Sequence, residues 1–238
     1  MITEELKEEY EKRLGFVHNV DRDPISDMSL HFPKLREVAR DCYFIVEFGV
    51  RELGSSWALL AGLADRSGTW TEPCVETGRY LNRMPLYKLV SVDHIHPNEF
   101  GGDLERFQRI ADENFVSHQF VLNSSLELEI PEPVDCIFFD TDHEYDQLKK
   151  ELELHGNMAT KYLLFHDTCQ SGKKIVPAIN EFLEKNEEWT ILGHTNESCG
   201  LTILCRYSIE HIRDMIKHQE KSREAEALRP DYNEETYH

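Results

Sequence analysis

Basic residues are scarce in this sequence, and long apolar runs are absent from it. Lysine and arginine together number 26 against 45 aspartate and glutamate residues, so the formal net charge is −19 at pH 7. This acidity argues against nucleic acid or an anionic membrane as a partner, and it is compatible with a divalent cation. No apolar run approaches the roughly 20 residues of a membrane-spanning helix, and the N-terminus is charged rather than signal-like. We therefore expect a cytoplasmic protein.

Cysteine is present but unpatterned. The six cysteines are scattered and include no C-x-x-C pair, which argues against a structural zinc site. Cys42 and Cys136 lie at or in apolar runs, where a thiol acts as a small core residue. Reduced thiols in a cytoplasmic protein are the simple interpretation.

Two familiar nucleotide-binding motifs are also missing. Residues 47–56 follow the pattern E-x-G-x-x-x-x-G-x-S, which is not the dinucleotide fingerprint G-x-G-x-x-G, and no Gly-Lys-Ser/Thr of a phosphate-binding loop follows. The acid before the glycines would repel a pyrophosphate and suits a cationic or zwitterionic cofactor better. The alternative is an ordinary glycine turn at a strand-to-helix corner, with Glu47 in solvent.

This segment nevertheless predicts a ligand site. An apolar run at 43–48 indicates a buried strand, and Ser55 or Ser56 could cap the helix that follows. Open α/β sheets bind nucleotide-like ligands at such strand-turn-helix corners, and glycines let a ligand approach the backbone closely. We predict that this segment forms a cofactor cradle, with contacts from Glu47, Gly49, Gly54 and Ser56.

Short apolar segments alternate with helical ones along the rest of the chain. Further strands are predicted at 87–93, 119–122, 134–140, 161–167, 189–192 and 201–205, and helices at 3–14, 32–40, 55–66, 99–115, 145–155, 176–185 and 208–228. This alternation implies a mainly parallel sheet with helices on both faces, and the last two strands suggest a hairpin.

The domain organisation follows from the same pattern. We predict an N-terminal helical segment at 1–40, a main domain at 41–207, and a C-terminal helix and tail at 208–238. Residues 67–87 have no clear period, and we interpret them as an insertion that could cover a substrate. The charged C-terminal segment could support a homo-oligomer.

Polar residues close four of the predicted strands. Glu47, Asp93 and Asp140 each end a strand, and His166 with Asp167 ends another. The corresponding ends of parallel strands lie along one edge of a sheet, so these side chains should converge there. A single acid at such a position often only caps the next helix, whereas four strand ends are harder to explain that way.

The segment Asp140-Thr141-Asp142-His143-Glu144-Tyr145 is the densest polar stretch. Carboxylates on adjacent strand ends can share a hard divalent ion such as Mg²⁺. His143 could then accept a proton from a substrate hydroxyl held at that ion. The alternatives are helix capping by Asp140 and Asp142, and a capping or core role for His143.

Four motifs together resemble a known family. E-F-G-V-R-E-L-G-S-S, S-V-D, F-F-D-T-D-H-E-Y and L-L-F-H-D-T, within residues 40–206, are similar to class I S-adenosylmethionine-dependent methyltransferases. Within that class, the sequence resembles the metal-dependent sugar O-methyltransferases of macrolide biosynthesis and the cephalosporin-hydroxylase-type relatives. The resemblance implies a Rossmann-like, seven-stranded sheet with an antiparallel last strand.

The resemblance also implies roles for individual residues around the cofactor. Glu47 and Gly49 would line its methionine moiety, and Asp93 would bond its ribose hydroxyls. Asn123 and Ser124 would lie near its adenine.

The same resemblance implies a metal site with Asp140, His166 and Asp167 as ligands and His143 as general base. His166 departs from the pattern, because many relatives have Glu or Asp there and imidazole is a poorer Mg²⁺ ligand than carboxylate. The metal would then be weaker, different or absent, with His166 bonding the substrate instead.

The expected activity is methyl transfer from S-adenosylmethionine to a hydroxyl of a small molecule or saccharide, assisted by Mg²⁺. One alternative is a non-catalytic cofactor-binding protein with the same fold. Another is a nicotinamide-dependent oxidoreductase, which the missing G-x-G-x-x-G disfavours.

Overall fold

A computed structural model of the chain describes residues 2–18, 27–67, 87–169 and 172–206. The helices are Glu4–His18 (α1), Phe32–Ala39 (α2), Gly54–Ser67 (α3), Leu104–Glu113 (α4), Tyr145–His155 (α5) and Gly172–Lys185 (α6). The strands are Phe44–Phe48 (β1), Tyr87–Asp93 (β2), Val116–Leu122 (β3), Val134–Phe139 (β4), Ala159–His166 (β5), Trp189–Thr195 (β6) and Leu201–Arg206 (β7). The predicted insertion, apart from its two end residues, and the predicted C-terminal helix lie outside the described residues.

All seven strands form one sheet in the order β3-β2-β1-β4-β5-β7-β6. The pairs among β1 to β5 are parallel, whereas β7 runs antiparallel to both β5 and β6. The predicted seven-stranded, mainly parallel sheet with an antiparallel last strand is therefore confirmed, and so is the predicted final hairpin.

The two faces of the sheet carry separate apolar cores. One contains side chains of α1 to α4, and the other contains those of α5 and α6. Because side chains alternate along a strand, Ile45 enters the first core while Val46 and Phe48 enter the second. None of the helices in the described ranges is long and apolar enough to cross a bilayer.

The N-terminal helices belong to the first core. Leu6 and Leu35 are fully buried, and α2 packs tightly on α3. A Cβ added at Gly62 would lie 2.4 Å from the carbonyl oxygen of Arg36, so only glycine allows this approach. The Arg36 guanidinium also makes two hydrogen bonds of 2.8 Å to the Asp65 carboxylate.

The predicted single helix at 99–115 is wrong in its first part. Pro97–Phe100 forms a 3-10 turn, which ends at Gly101 with φ +86°. Asp103 then starts α4 by accepting a hydrogen bond from the backbone N–H of Arg106. Because glycine readily adopts positive φ and aspartate is a favourable N-cap, the chain breaks here into two elements.

Candidate active site

A cavity of about 410 Å³ lies along the edge of the sheet where the parallel strands end. The predicted site residues that line it are Gly49, Asp93, Asn123, Ser124, Asp140, His143, His166 and Asp167. Glu47, Gly54 and Ser56, which were also predicted to bind the cofactor, do not line it. Its volume is within the usual range for a small-molecule site, about 300–1,000 Å³.

The turn after β1 requires glycine at its first position. Gly49 has φ +81°, and a Cβ there would lie 2.0 Å from the backbone carbonyl oxygen of Asp140. Its N–H donates to the carbonyl oxygen of Val92 at 2.9 Å. Gly49 therefore lets the loops after β1 and β4 touch, which places the predicted cofactor turn against the loop that carries His143.

Asp93 stabilises this turn through hydrogen bonds to its backbone. Its Oδ2 accepts hydrogen bonds from the backbone N–H groups of Val50 (2.8 Å) and Arg51 (3.1 Å), and its Oδ1 accepts one from Ile95 (3.0 Å). Arg51 has φ +44°, an unfavourable conformation that these bonds help to hold. A carboxylate has about four acceptor positions, so Asp93 retains capacity for ligand hydroxyls at the cavity wall.

Glu47 is buried completely on the face of the sheet covered by α3. It accepts hydrogen bonds from the hydroxyls of Ser55, Ser56 (2.6 Å) and Ser91 (3.1 Å). Burial raises the pKa of its carboxyl to about 7, although the three hydroxyls oppose the shift. Glu47 thus joins β1 to the start of α3, and the alternative of a solvated Glu47 is wrong.

Glu47 should make the stability of the protein depend on pH. Its folded-state pKa of about 7 exceeds the ordinary value of 4.5, so its stabilising contribution is complete below the ordinary value and is lost as pH rises through 7. Between about pH 5 and about pH 8, the wild type should lose about 2 kcal/mol of unfolding free energy that Glu47→Gln does not lose. Denaturant unfolding at both pH values measures this, with the exposed Glu153→Gln as control. Equal pH dependence in wild type and E47Q would contradict it.

Two aspartates and two histidines meet at the other end of the cavity. Nε2 of His143 lies 2.8 Å from Oδ2 of Asp167 and 3.3 Å from Oδ1 of Asp140. Nδ1 of His166 lies 3.0 Å from the same Asp140 oxygen and 3.3 Å from the same Asp167 oxygen. The predicted convergence therefore occurs for the ends of β4 and β5, with one potential ligand atom from each residue within 4.8 Å of the others. Of the other two predicted residues, Asp93 lines the same cavity and Glu47 does not.

The charges of this cluster stabilise one another. Burial opposes protonation of both imidazoles, but hydrogen bonds and charge from Asp140 and Asp167 outweigh it and raise the pKa of His143 to about 9 and of His166 to about 10. Despite burial, the two imidazoles hold the pKa of both aspartates below the ordinary value. In this arrangement, therefore, His143 is not the free base at neutral pH that its ordinary pKa predicts.

The donor set fits a divalent cation. Two carboxylate oxygens and two imidazole nitrogens are typical ligands of divalent metals. Asp140, His166 and Asp167 lie at the ends of β4 and β5, and His143 lies in the loop after β4. Nε2 of His166 is buried and has no hydrogen-bond partner among the described residues. Nδ1, the other nitrogen of the His166 ring, faces both carboxylates.

A second buried carboxylate supports the opposite wall of the cavity. Glu151 of α5 accepts hydrogen bonds from Oγ of Ser125 (2.5 Å), Oγ1 of Thr141 (3.0 Å) and Nε2 of Gln147 (2.9 Å). All three donors line the cavity, and burial raises the pKa of Glu151. One side chain thus ties the loops after β3 and β4 together.

Sequence reasoning missed several residues of the cavity wall. These are Arg51, Val92, His94, Phe100, Ser125, Thr141, Asp142 and Gln147. Position within three residues of a strand end was a usable signal for Ser125 and Thr141. Phe100 and Gln147 lie several residues beyond their strands and carried no such signal.

Comparison with solved structures finds the same architecture in methyltransferases. The SAH-bound Podospora anserina methyltransferase PaMTH1 is 16% identical, with a TM-score of 0.54 over 87% of this chain and 89% of that chain. A methyltransferase from Geobacter sulfurreducens is 15% identical, with a TM-score of 0.53 over 87% and 90%. The O-methyltransferase TomG from Streptomyces achromogenes, in complex with SAM, is 14% identical, with a TM-score of 0.51 over 84% and 89%.

At the level of sequence, the chain matches no family model and no curated protein. Its likeness to these structures therefore lies in the arrangement of its strands and helices. The chain has the Rossmann-like methyltransferase fold.

Proposed function

We propose that this protein is an S-adenosylmethionine-dependent O-methyltransferase that acts on a hydroxyl of a small molecule or saccharide. The observation that carries the proposal is one cavity that joins the glycine turn after β1 to the cluster of Asp140, His143, His166 and Asp167. Structural neighbours with this fold have been crystallised with SAM or SAH, which supports the same type of cofactor here.

The cofactor would lie along the strand ends from the turn at Gly49 to the loop after β3. Asp93 is placed for the ribose hydroxyls, and Asn123 and Ser124 for the adenine. Asn123 is held in position because its N–H donates to the carbonyl oxygen of Asp93 at 3.0 Å. Glu47, Gly54 and Ser56 do not line the cavity; Glu47 and Ser56 would act indirectly, through the hydrogen bond of 2.6 Å that joins β1 to α3.

The reaction would transfer the sulfonium methyl group of the cofactor to an acceptor oxygen. Because sulfonium is a good leaving group, the protein must mainly align the oxygen with the methyl carbon and remove the hydroxyl proton. His143 is the candidate base because it lines the cavity. It follows Asp140 by three residues, and its Nε2 faces the Asp140 carboxylate.

Asp140, His166 and Asp167 would hold a divalent cation beside His143. Such a cation, Mg²⁺ in the prediction from sequence, would orient the acceptor hydroxyl, make it more acidic and neutralise the two carboxylates. With the carboxylates neutralised, the charge that raises the pKa of His143 would be removed, and its imidazole would be the free base that accepts the hydroxyl proton.

The test is calorimetric titration with S-adenosylhomocysteine, followed by a methyl-transfer assay with labelled S-adenosylmethionine on hydroxylated small molecules and saccharides. Binding together with transfer to any hydroxyl acceptor supports the proposal. Binding without transfer across the panel would favour a non-catalytic cofactor-binding protein. Failure to bind, with a fluorescence response to a nicotinamide cofactor instead, would favour the oxidoreductase alternative.

A further inference from the structure

We propose that His166 makes the cluster selective for a first-row transition metal ion, such as Mn²⁺, Co²⁺ or Zn²⁺, over Mg²⁺. This inference rests on the proposed function, in which Asp140, His166 and Asp167 hold a divalent cation. It replaces the prediction of magnesium from sequence.

The distances from Nδ1 of His166 to the two carboxylates suit a single ion, and all ligand atoms of the cluster lie within 4.8 Å of one another. Two ligands bound at right angles with bonds of about 2.1 Å lie about 3.0 Å apart. Nδ1 of His166 lies 3.0 Å from Oδ1 of Asp140 and 3.3 Å from Oδ2 of Asp167. Neighbouring ligands on one ion therefore have the separations that these atoms already show.

His166 cannot easily turn this nitrogen away. Its side chain is 2% exposed, and its ring packs edge-on against that of His31, with centroids 5.4 Å apart and planes at 73°. A flip of the ring would move Nδ1 away from both carboxylates, to the ring edge that now carries Nε2. At that edge Nε2 has no hydrogen-bond partner among the described residues. With no metal bound, a proton on Nδ1 is shared with these two carboxylates. A metal ion that replaces this proton would be bound by Nδ1 together with both carboxylates.

The chemistry of the donors decides which cation is preferred. Mg²⁺ takes oxygen ligands and gives up its waters reluctantly, whereas imidazole suits later transition metals. Among these, Mn²⁺ binds most weakly in the usual order. A preference for Mn²⁺ over Mg²⁺ is therefore the most demanding test of the inference.

The experiment measures metal affinity on the whole, metal-stripped protein without cofactor. The binding of Mn²⁺ is followed by the loss of the free-ion electron paramagnetic resonance signal, and Mg²⁺ is added as competitor. We expect Mn²⁺ to bind at least about 100-fold more tightly than Mg²⁺. His166→Asp should reduce this ratio at least about tenfold, while the control His194→Asp, an exposed position outside the cavity, should leave it unchanged.

A second measurement needs no variant. The bound Mn²⁺ should show hyperfine coupling to imidazole nitrogen in an electron spin echo experiment, even if His166→Asp does not fold. Equal or tighter binding of Mg²⁺, absence of nitrogen coupling, or no binding of either ion would overturn the inference. Titration of the same samples with S-adenosylhomocysteine separates these outcomes from failure of the proposed function, because cofactor binding does not depend on which ion is selected.

Discussion

His143→Ala is expected to lower the rate of methyl transfer about 100- to 10,000-fold, the usual contribution of a positioned general base. The affinity for S-adenosylhomocysteine should stay within about threefold, because the proposed cofactor contacts lie at Asp93 and the loop after β3 and not at His143. The measurement compares kcat on an active acceptor with the dissociation constant from calorimetry.

The matched control is His194→Ala on β6. This histidine is exposed, hydrogen-bonds Thr202 and Asn196, and does not line the cavity. It should retain wild-type turnover and affinity. If His143→Ala retained near-full activity, the base assignment would be refuted, although methyl transfer itself could still occur at this site.

Gly49→Ala should lower the free energy of unfolding by about 2–5 kcal/mol. The left-handed backbone conformation would cost alanine about 1–2 kcal/mol, and overpacking would cost about 1–3 kcal/mol more. The added Cβ would lie 2.0 Å from the carbonyl oxygen of Asp140, and a backbone atom cannot move aside as a flexible side chain would. Relief of this clash would displace the turn at Gly49, where the proposed cofactor site begins, so binding of S-adenosylhomocysteine should weaken. Denaturant unfolding and calorimetry measure the two effects.

Gly54→Ala is the control for this substitution. A Cβ at Gly54, the first residue of α3, meets nothing within 4 Å, and alanine forms helix more readily than glycine. Its stability should equal or slightly exceed that of the wild type. Unchanged stability and affinity in Gly49→Ala would show that the loops after β1 and β4 do not approach as closely as described.

Much of the fold could be predicted from sequence because it depends on local patterns. The bounds of β2 and α5 match the predicted 87–93 and 145–155, since short apolar runs and amphipathic periods mark them clearly. β3 begins at Val116, earlier than the predicted 119. The polar residues Ser117 and His118 hide the first part of the strand, which forms because it pairs in register with β2.

The candidate site was predictable where topology alone places residues. Parallel strands that end in acids bring those acids to one edge, which is how Asp140, His166 and Asp167 meet. The role of Glu47 was not predictable in this way. Its side chain could face either side of the sheet, and the choice depends on which side α3 crosses.

The order of strands and helices and the grouping of His143 with two aspartates follow from side-chain period and strand direction, so they can be predicted from the chain. The enclosure of Glu47 by serines, the approach of Gly49 to the Asp140 carbonyl, and the link that Glu151 makes between the loops after β3 and β4 become visible only in the folded protein. Contacts of this kind form between segments far apart in the chain, and helix packing sets their distances.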